Sequence, residues 1–242
     1  MELLILVPVY NEEKNIGNVL DSLLSLGYDI LVVDNKSIDK TPEIIKKKKV
    51  NVLEHKENLG KARSLIDGFN YAIEKDYNHV ICMDGDSEHD PKYISQFIDK
   101  LGDYDLVVGE RNSHRSFSRG IVNFWSSLWF NFVLGGIKDT QCGFRGIRTS
   151  LLKNMKLISQ DFEIEIEILL EATRNNAKIG VVKMDSGNES PSQLGVKDYI
   201  KINNFFDRWI IHNIWEMDTN FFKKTFLFIF ANIGLSCFRW FE

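Results

Sequence analysis

The segment Met83-Asp84-Gly85-Asp86-Ser87-Glu88-His89 sets two carboxylates on either side of one glycine, directly after the apolar run His79–Met83. Both carboxylates can reach one hard cation. Mg²⁺ and Mn²⁺ prefer oxygen ligands and are commonly completed by substrate phosphates. A cation held there would neutralise a diphosphate leaving group. An acidic turn alone is usually just solvated, and it is the position after a strand that marks this one.

A second segment, Val7-Pro8-Val9-Tyr10-Asn11-Glu12-Glu13, joins an apolar run to a helical pattern. Backbone N–H groups at a helix start can receive an anionic or polar ligand. The plain alternative is a helix cap by Asn11 followed by early acids. A third segment, Leu31-Val32-Val33-Asp34-Asn35-Lys36-Ser37-Ile38-Asp39, ends a strand on Asp34, which can accept hydrogen bonds from a base or ribose. Here the alternative is a turn with Asp39 capping the next helix. The other reactive types show no comparable spacing. Cys82, Cys142 and Cys237 form no CxxC pair, and the histidines (His55, His79, His89, His114, His212) show no ligand spacing. Neither a disulfide framework nor a zinc site is indicated, and a reducing, cytoplasmic setting fits.

The elements that must carry these segments are legible as patterns. Strands are expected at Leu3–Val9, Ile30–Asp34, Val50–Glu54, His79–Met83 and Asp105–Gly109, each rich in Val, Ile and Leu and bounded by turn residues. Ile16, Val19, Leu20, Leu23 and Leu24 recur at helical spacing, as do Ala62, Leu65, Ile66, Phe69 and Ile73. Asp90-Pro91 starts a further helix. This alternation predicts an α/β fold with a mostly parallel central sheet flanked by helices. Ligands of such sheets bind beyond the carboxyl ends of the strands. From about Arg115 the pattern is less regular. Helices are expected at Ser118–Leu134, Phe162–Thr173 and Val196 to about Trp215, with a strand at Lys178–Met184 and a polar loop at Asp185–Gly195. The alternation of Glu163, Glu165 and Glu167 with apolar residues reads either as a source of carboxylates for chemistry or as a solvated helix start with acids favouring the dipole.

At 242 residues the chain has room for one substantial domain with a small appendage. The expected division is a domain over 1–217 and an apolar segment over 218–242. Thr225–Phe238 is almost unbroken in its apolar character, but it is shorter than the roughly 20 residues that span a bilayer. Lys223, Lys224, Arg239, Trp240 and Phe241 flank it, which suits a membrane-contacting helix. The alternative is a helix packed on the domain. The N-terminus has no basic n-region and does not read as a signal peptide. A net charge of -4 argues against a general nucleic-acid partner.

Taken together, and with Asn58-Leu59-Gly60-Lys61-Ala62-Arg63, Val107-Val108-Gly109-Glu110-Arg111 and Asp139-Thr140-Gln141-Cys142-Gly143-Phe144-Arg145, these segments resemble the family-2 glycosyltransferases of the GT-A fold. More narrowly, the chain resembles dolichyl-phosphate mannose synthases and related polyprenyl-phosphate glycosyltransferases, over roughly residues 1 to 195. The resemblance implies an inverting transfer of a sugar from a nucleotide-diphosphate sugar, of the GDP-mannose or UDP-glucose type, to a lipid phosphate at the cytoplasmic face of a membrane. It implies that Pro8, Tyr10, Glu12 and Asp34 hold the nucleoside and that Lys61 lies near the nucleotide. Asp84, Gly85 and Asp86 would border the diphosphate, with Mg²⁺ or Mn²⁺ on Asp84, Asp86 and Glu88 and Asp86 as principal ligand. Arg111, Arg119 and Arg145 would meet phosphates, Arg119 and Arg145 those of the acceptor. Arginine forks suit phosphate oxygens. With a hydroxyl acceptor instead, a base is needed, and Asp139, Glu163 and Glu165 are the available carboxylates.

Two departures from the family pattern stand out. The second strand usually ends Asp-Asp-Gly-Ser, and here it reads Asp34-Asn35-Lys36-Ser37. The later loop usually carries a basic residue followed by Ser-Lys, and here it reads Asn188-Glu189-Ser190-Pro191-Ser192-Gln193-Leu194-Gly195. The altered Glu189–Gly195 loop motivates a rival of another class, a non-catalytic, membrane-associated protein that binds a nucleotide sugar. A nucleotidyltransferase is disfavoured, because no glycine-rich, arginine-containing loop follows the first strand.

Overall fold

The computed structural model describes residues 2–112, 137–185, 196–217 and, near the C-terminus, 224–225, 227–229 and 231–232. The helix expected at Ser118–Leu134, Arg119, the Glu189–Gly195 loop and most of the 218–242 segment lie outside the described residues.

The strands are β1 (Leu3–Val9), β2 (Asp29–Asp34), β3 (Asn51–Glu54), β4 (His79–Cys82), β5 (Leu106–Asn112), β6 (Arg145–Arg148) and β7 (Ile179–Asp185). They form one seven-stranded sheet in the order β3-β2-β1-β4-β6-β5-β7. β1 pairs in parallel with β2 and β4, and β2 with β3. β6 runs antiparallel to both β4 and β5, and β5 pairs in parallel with β7. Val9 stands beside Asp34 and Leu6 beside Cys82, so the three acid-bearing loops leave the sheet at one edge. At β1 the chain order reverses direction across the sheet, which opens a crevice there.

Every residue of β1 is buried, as a strand covered on both faces must be. Its period-2 alternation divides the core. Leu4 and Leu6 pack with Ala62, Leu65 and Phe69 of α3 (Lys61–Glu74). Leu3, Ile5, Val7 and Val9 pack with Ile16, Val19, Leu20 and Leu23 of α1 (Ile16–Leu24). α2 (Thr41–Lys46) and α4 (Ile94–Leu101) complete the second face, with Ile45, Phe97 and Leu101 buried. Gly68 lets α3 approach the sheet, because a Cβ there would meet the Leu6 side chain.

The first face also holds α5 (Thr149–Leu152), α6 (Ile164–Arg174) and α7 (Val196–Asn213). α6 is not the solvated helix its charges suggest. Glu165, Glu167 and Glu171 are all buried along with its apolar residues. Each acid has internal partners. Glu167 accepts from the Ile158 and Ser159 amides and the Ser159 hydroxyl, and Glu171 from the Lys156 amide and the Trp209 indole. In the C-terminal segment Leu227 and Ala231 are buried in the same core as Ile214 and Met217, while Trp215 and Ile229 are 49% and 52% exposed. Among the described residues no helix is long and apolar enough to cross a membrane.

Candidate active site

The loop after β1 is stitched to the loop after β2. The amides of Asn11, Glu12 and Glu13 donate to Ser37 Oγ (2.9 Å), Thr41 Oγ1 (2.8 Å) and Asp39 Oδ2 (3.0 Å). These N–H groups are therefore not the open anion receptor that a helix start suggests. Tyr10, just before them, stays 43% exposed. Glu12 carries a bond from Asn15 Nδ2, yet burial, with Asp84 and Asp39 nearby, holds its carboxyl above the usual range.

Asp34 is buried, and its Oδ1 accepts from the Ser37 amide and hydroxyl (3.1 and 2.6 Å). Asn35, where the family pattern has a second acid, is buried too. Its Nδ2 donates to Asn58 Oδ1 (2.8 Å), and its Oδ1 accepts from the Leu59 amide (2.9 Å) and faces His55 Nδ1 (2.9 Å). A group that both donates and accepts is required here, and a carboxylate cannot donate. His55 Nε2 continues to Asp67 on α3. This network shapes the turn Asn58-Leu59-Gly60. Gly60 has φ +84 and lies against the Gln160 carbonyl, so no side chain fits there. The next residue is Lys61.

Lys61 Nζ reaches Asp84 Oδ1 at 2.9 Å and Glu165 Oε1 at 3.0 Å. Burial opposes its charge, but the two carboxylates outweigh burial and raise its pKa, so it stays a cation. Burial alone would raise Asp84. Lys61, His89 and Arg111 together bring it down to about 2. Asp86 differs. Burial, then the Asp84 charge, push it up to about 7 although its Oδ1 accepts the Glu88 amide (2.9 Å). The pair thus has one carboxylate matched by a cation and one short of positive charge. Gly143 of the Cys142-Gly143-Phe144 turn backs directly onto the Asp84 carboxylate. His89 Nδ1 accepts the Asp84 amide (3.2 Å), and burial pushes its pKa down to about 4, so the ring is a neutral brace for the turn.

Three expectations change. Glu88 does not converge with Asp84 and Asp86. Its Oε2 accepts from Arg111 NH1 (3.1 Å), and no cluster of three acids, histidines or cysteines suited to a metal occurs among the described residues. Arg111 grips Asp139 through Nε (2.7 Å) and NH2 (3.0 Å), so its fork is engaged within the protein. Arg145 is 1% exposed, and it donates to the carbonyls of Cys142, Thr140 and Glu165 and pairs with the Glu165 carboxylate (3.1 Å). It holds the Asp139–Arg145 loop together rather than facing a phosphate. β6 puts it inside the sheet, and a strand of Arg-Gly-Ile-Arg has no apolar alternation to announce that. The sequence does not announce Asn35, His89 and Gly143 as site-building residues, nor the pairing of Glu165 with Lys61 and Arg145. The Cys-Gly-Phe-Arg motif was the one signal pointing at Gly143.

A mostly parallel sheet with an Asp-Gly-Asp turn at the carboxyl edge of its fourth strand defines a GT-A nucleotide-diphospho-sugar transferase fold. The chain belongs to glycosyl transferase family 2, whose model matches residues 4–156. It is 30% identical over 208 residues to a UDP-N-acetylglucosamine–dolichyl-phosphate N-acetylglucosaminyltransferase of Methanococcus voltae, covering 74% of this chain and 82% of the relative. It is 26% identical to an undecaprenyl-phosphate mannosyltransferase of Micrococcus luteus, over 89% of this chain and 97% of that one. Glucosyl-3-phosphoglycerate synthase of Mycobacterium tuberculosis, solved with Mg²⁺ and UDP, superposes with a TM-score of 0.71 at 17% identity, covering 84% of this chain and 77% of that one.

Proposed function

We propose that this glycosyltransferase moves a sugar from a nucleotide-diphosphate sugar to a polyprenyl or dolichyl phosphate, with inversion at the anomeric carbon. The observation that carries the reading is the Asp84–Asp86 pair. It presents only oxygen donors, and Asp86, half-buried beside Asp84, is short of positive charge. That donor set fits a hard dication whose coordination substrate phosphates complete. Asp84 and Asp86 would hold Mg²⁺ or Mn²⁺, which supplies neutralising charge to the departing diphosphate. The nucleoside would lie over Pro8, Tyr10, Glu12 and Asp34, with Lys61 and Gly85 at its phosphate side.

A lipid phosphate is an anion at neutral pH and needs no base. Its oxygen bonds to the anomeric carbon while the bond to the nucleoside diphosphate breaks, and the diphosphate leaves with the electron pair. Of the three carboxylates that could serve a hydroxyl acceptor as base, two are engaged, Asp139 with Arg111 and Glu165 with Lys61 and Arg145, which supports this reading. The names of the Methanococcus and Micrococcus relatives point the same way. The acceptor would be met at a membrane surface on the cytoplasmic face. The 218–242 segment would contribute the contact, with a domain over 1–217 beside it. One observation favours a hydroxyl acceptor instead. Glu163 Oε2 is buried without a hydrogen-bond partner and could serve as a base.

The test is sugar transfer from a panel of radiolabelled nucleotide sugars to polyprenyl phosphate with Mg²⁺ or Mn²⁺, comparing the chain with Asp86→Ala. Metal-dependent glycolipid that disappears in the variant is the expected result. Transfer only to a hydroxyl acceptor, lost in Glu163→Gln, would replace this reading. Nucleotide-sugar binding with no transfer to any acceptor would mark a non-catalytic binder.

A further inference from the structure

We propose that Glu165 is a positioning residue for the donor, acting through Lys61 on Asp84. Glu165 is 2% exposed at the start of α6. Its two oxygens do different work. Oε1 takes Lys61 Nζ at 3.0 Å, and Oε2 takes Arg145 Nε at 3.1 Å. Lys61 is then shared, because the same Nζ lies 2.9 Å from Asp84 Oδ1. A lysine held by one carboxylate alone could swing with it, since the ammonium is a point charge on a flexible stem. Held between two, it has one position, and it fixes which Asp84 oxygen it covers. The other, Oδ2, lies against Gly143. The carboxylate that borders the diphosphate is therefore oriented from α6, an element that carries none of the donor motif.

Only a carboxylate can do this. A glutamine at 165 offers one acceptor oxygen and one amide nitrogen, so whichever way it turns, an N–H faces the N–H of Lys61 or of Arg145. This geometry also removes Glu165 from the candidate bases, since each of its oxygens is ion-paired with a cation in a buried site.

The inference rests on Asp84 and Asp86 being the donor-side carboxylates, so the experiment tests that first. Binding of UDP and of GDP to the full chain is measured by calorimetry, with Mg²⁺ and separately with EDTA. If the unsubstituted chain binds neither nucleotide, the donor reading fails by itself. With binding in hand, Glu165→Gln, Lys61→Met and the double variant form a cycle. Glu165→Gln is expected to weaken Mg²⁺-dependent nucleotide binding about tenfold, the scale of losing an outer-shell partner of a metal site. In the Lys61→Met background it is expected to cost almost nothing further. A penalty as large without Lys61 as with it overturns the proposal, and so does normal binding by Glu165→Gln. Should Glu165→Gln be unfolded at the assay temperature, Glu165→Asp replaces it in the same cycle. Its arm is one methylene too short to span both cations, and the same two outcomes decide.

Discussion

Gly143 sits so close behind Asp84 that a Cβ on it would overlap Asp84 Oδ2. The carboxylate is thus confined between a backbone wall and the Lys61 ammonium. Gly143→Ala would push Asp84 off Lys61 while leaving the strands untouched. The expected result is Mg²⁺-dependent nucleotide binding weakened about 10- to 100-fold, as for other outer-shell changes at metal sites. Calorimetry on the variant checks it, with circular dichroism confirming the fold. Unchanged binding would mean that the position of Asp84 does not matter to the donor.

Arg145 is expected to report on stability and not on acceptor affinity. Its guanidinium bonds three backbone carbonyls and one carboxylate from inside the sheet. Arg145→Lys keeps the charge but loses the fork, leaving carbonyls of the Asp139–Arg145 loop unpaired. Such losses cost about 1–3 kcal/mol for each buried group, and urea unfolding reads the sum. A variant as stable as the parent, with a raised KM for polyprenyl phosphate, would return Arg145 to the phosphate-facing role suggested by its family motif.

The contrast between β1 and β6 shows how much was legible in the sequence. Leu3–Val9 is readable because both faces of the strand need apolar residues, and local composition records that need. Arg145–Arg148 hides its strand character because what buries Arg145 is a set of carbonyls of the preceding loop together with Glu165 on another element. The site divides the same way. The Asp84-Gly85-Asp86 turn, Tyr10 and Asp34 could be placed at strand ends from the pattern alone. Which cation each carboxylate keeps could not. Glu88 on Arg111 and Glu165 on Lys61 are pairings that the fold selects. No residue type announces a partner across the sheet. The buried acids of α6 look identical, in sequence, to acids that favour a helix dipole in water.

Asn35 illustrates a departure that the structure explains. Its amide must donate to Asn58 while accepting from Leu59 and facing His55. Asn35→Asp, the family-like residue, would set a carboxylate oxygen against Asn58 Oδ1. Turning Asn58 round would then break its bond from the Gly60 amide. The expected cost is about 1–3 kcal/mol in urea unfolding. The turn that leads to Lys61 loosens as well, so nucleotide binding is expected to weaken. A variant of parental stability would show that the loop does not depend on the amide.

Asp86 should leave a signature in the pH dependence of folding. Burial, then Asp84, push it up to about 7 from 3.8. Between about pH 4 and 7 the folded chain keeps a proton there that the unfolded chain has released. Its stabilising contribution is full below about pH 4 and is lost as pH rises through about 7. His89 has the opposite sign. Burial brings it down to about 4 from 6.5, so across that interval the unfolded chain binds the extra proton and stability grows as pH rises. In the parent the two trends offset each other. Asp86→Asn removes the first trend and leaves the others in place, so the variant should gain on the parent steadily from about pH 4 to 7 in urea unfolding with EDTA present. A difference that stays flat with pH would put Asp86 back among ordinary carboxylates. Adding Mg²⁺ at neutral pH is expected to stabilise the parent and not the variant, because a dication on the pair supplies the positive charge that the proton otherwise provides.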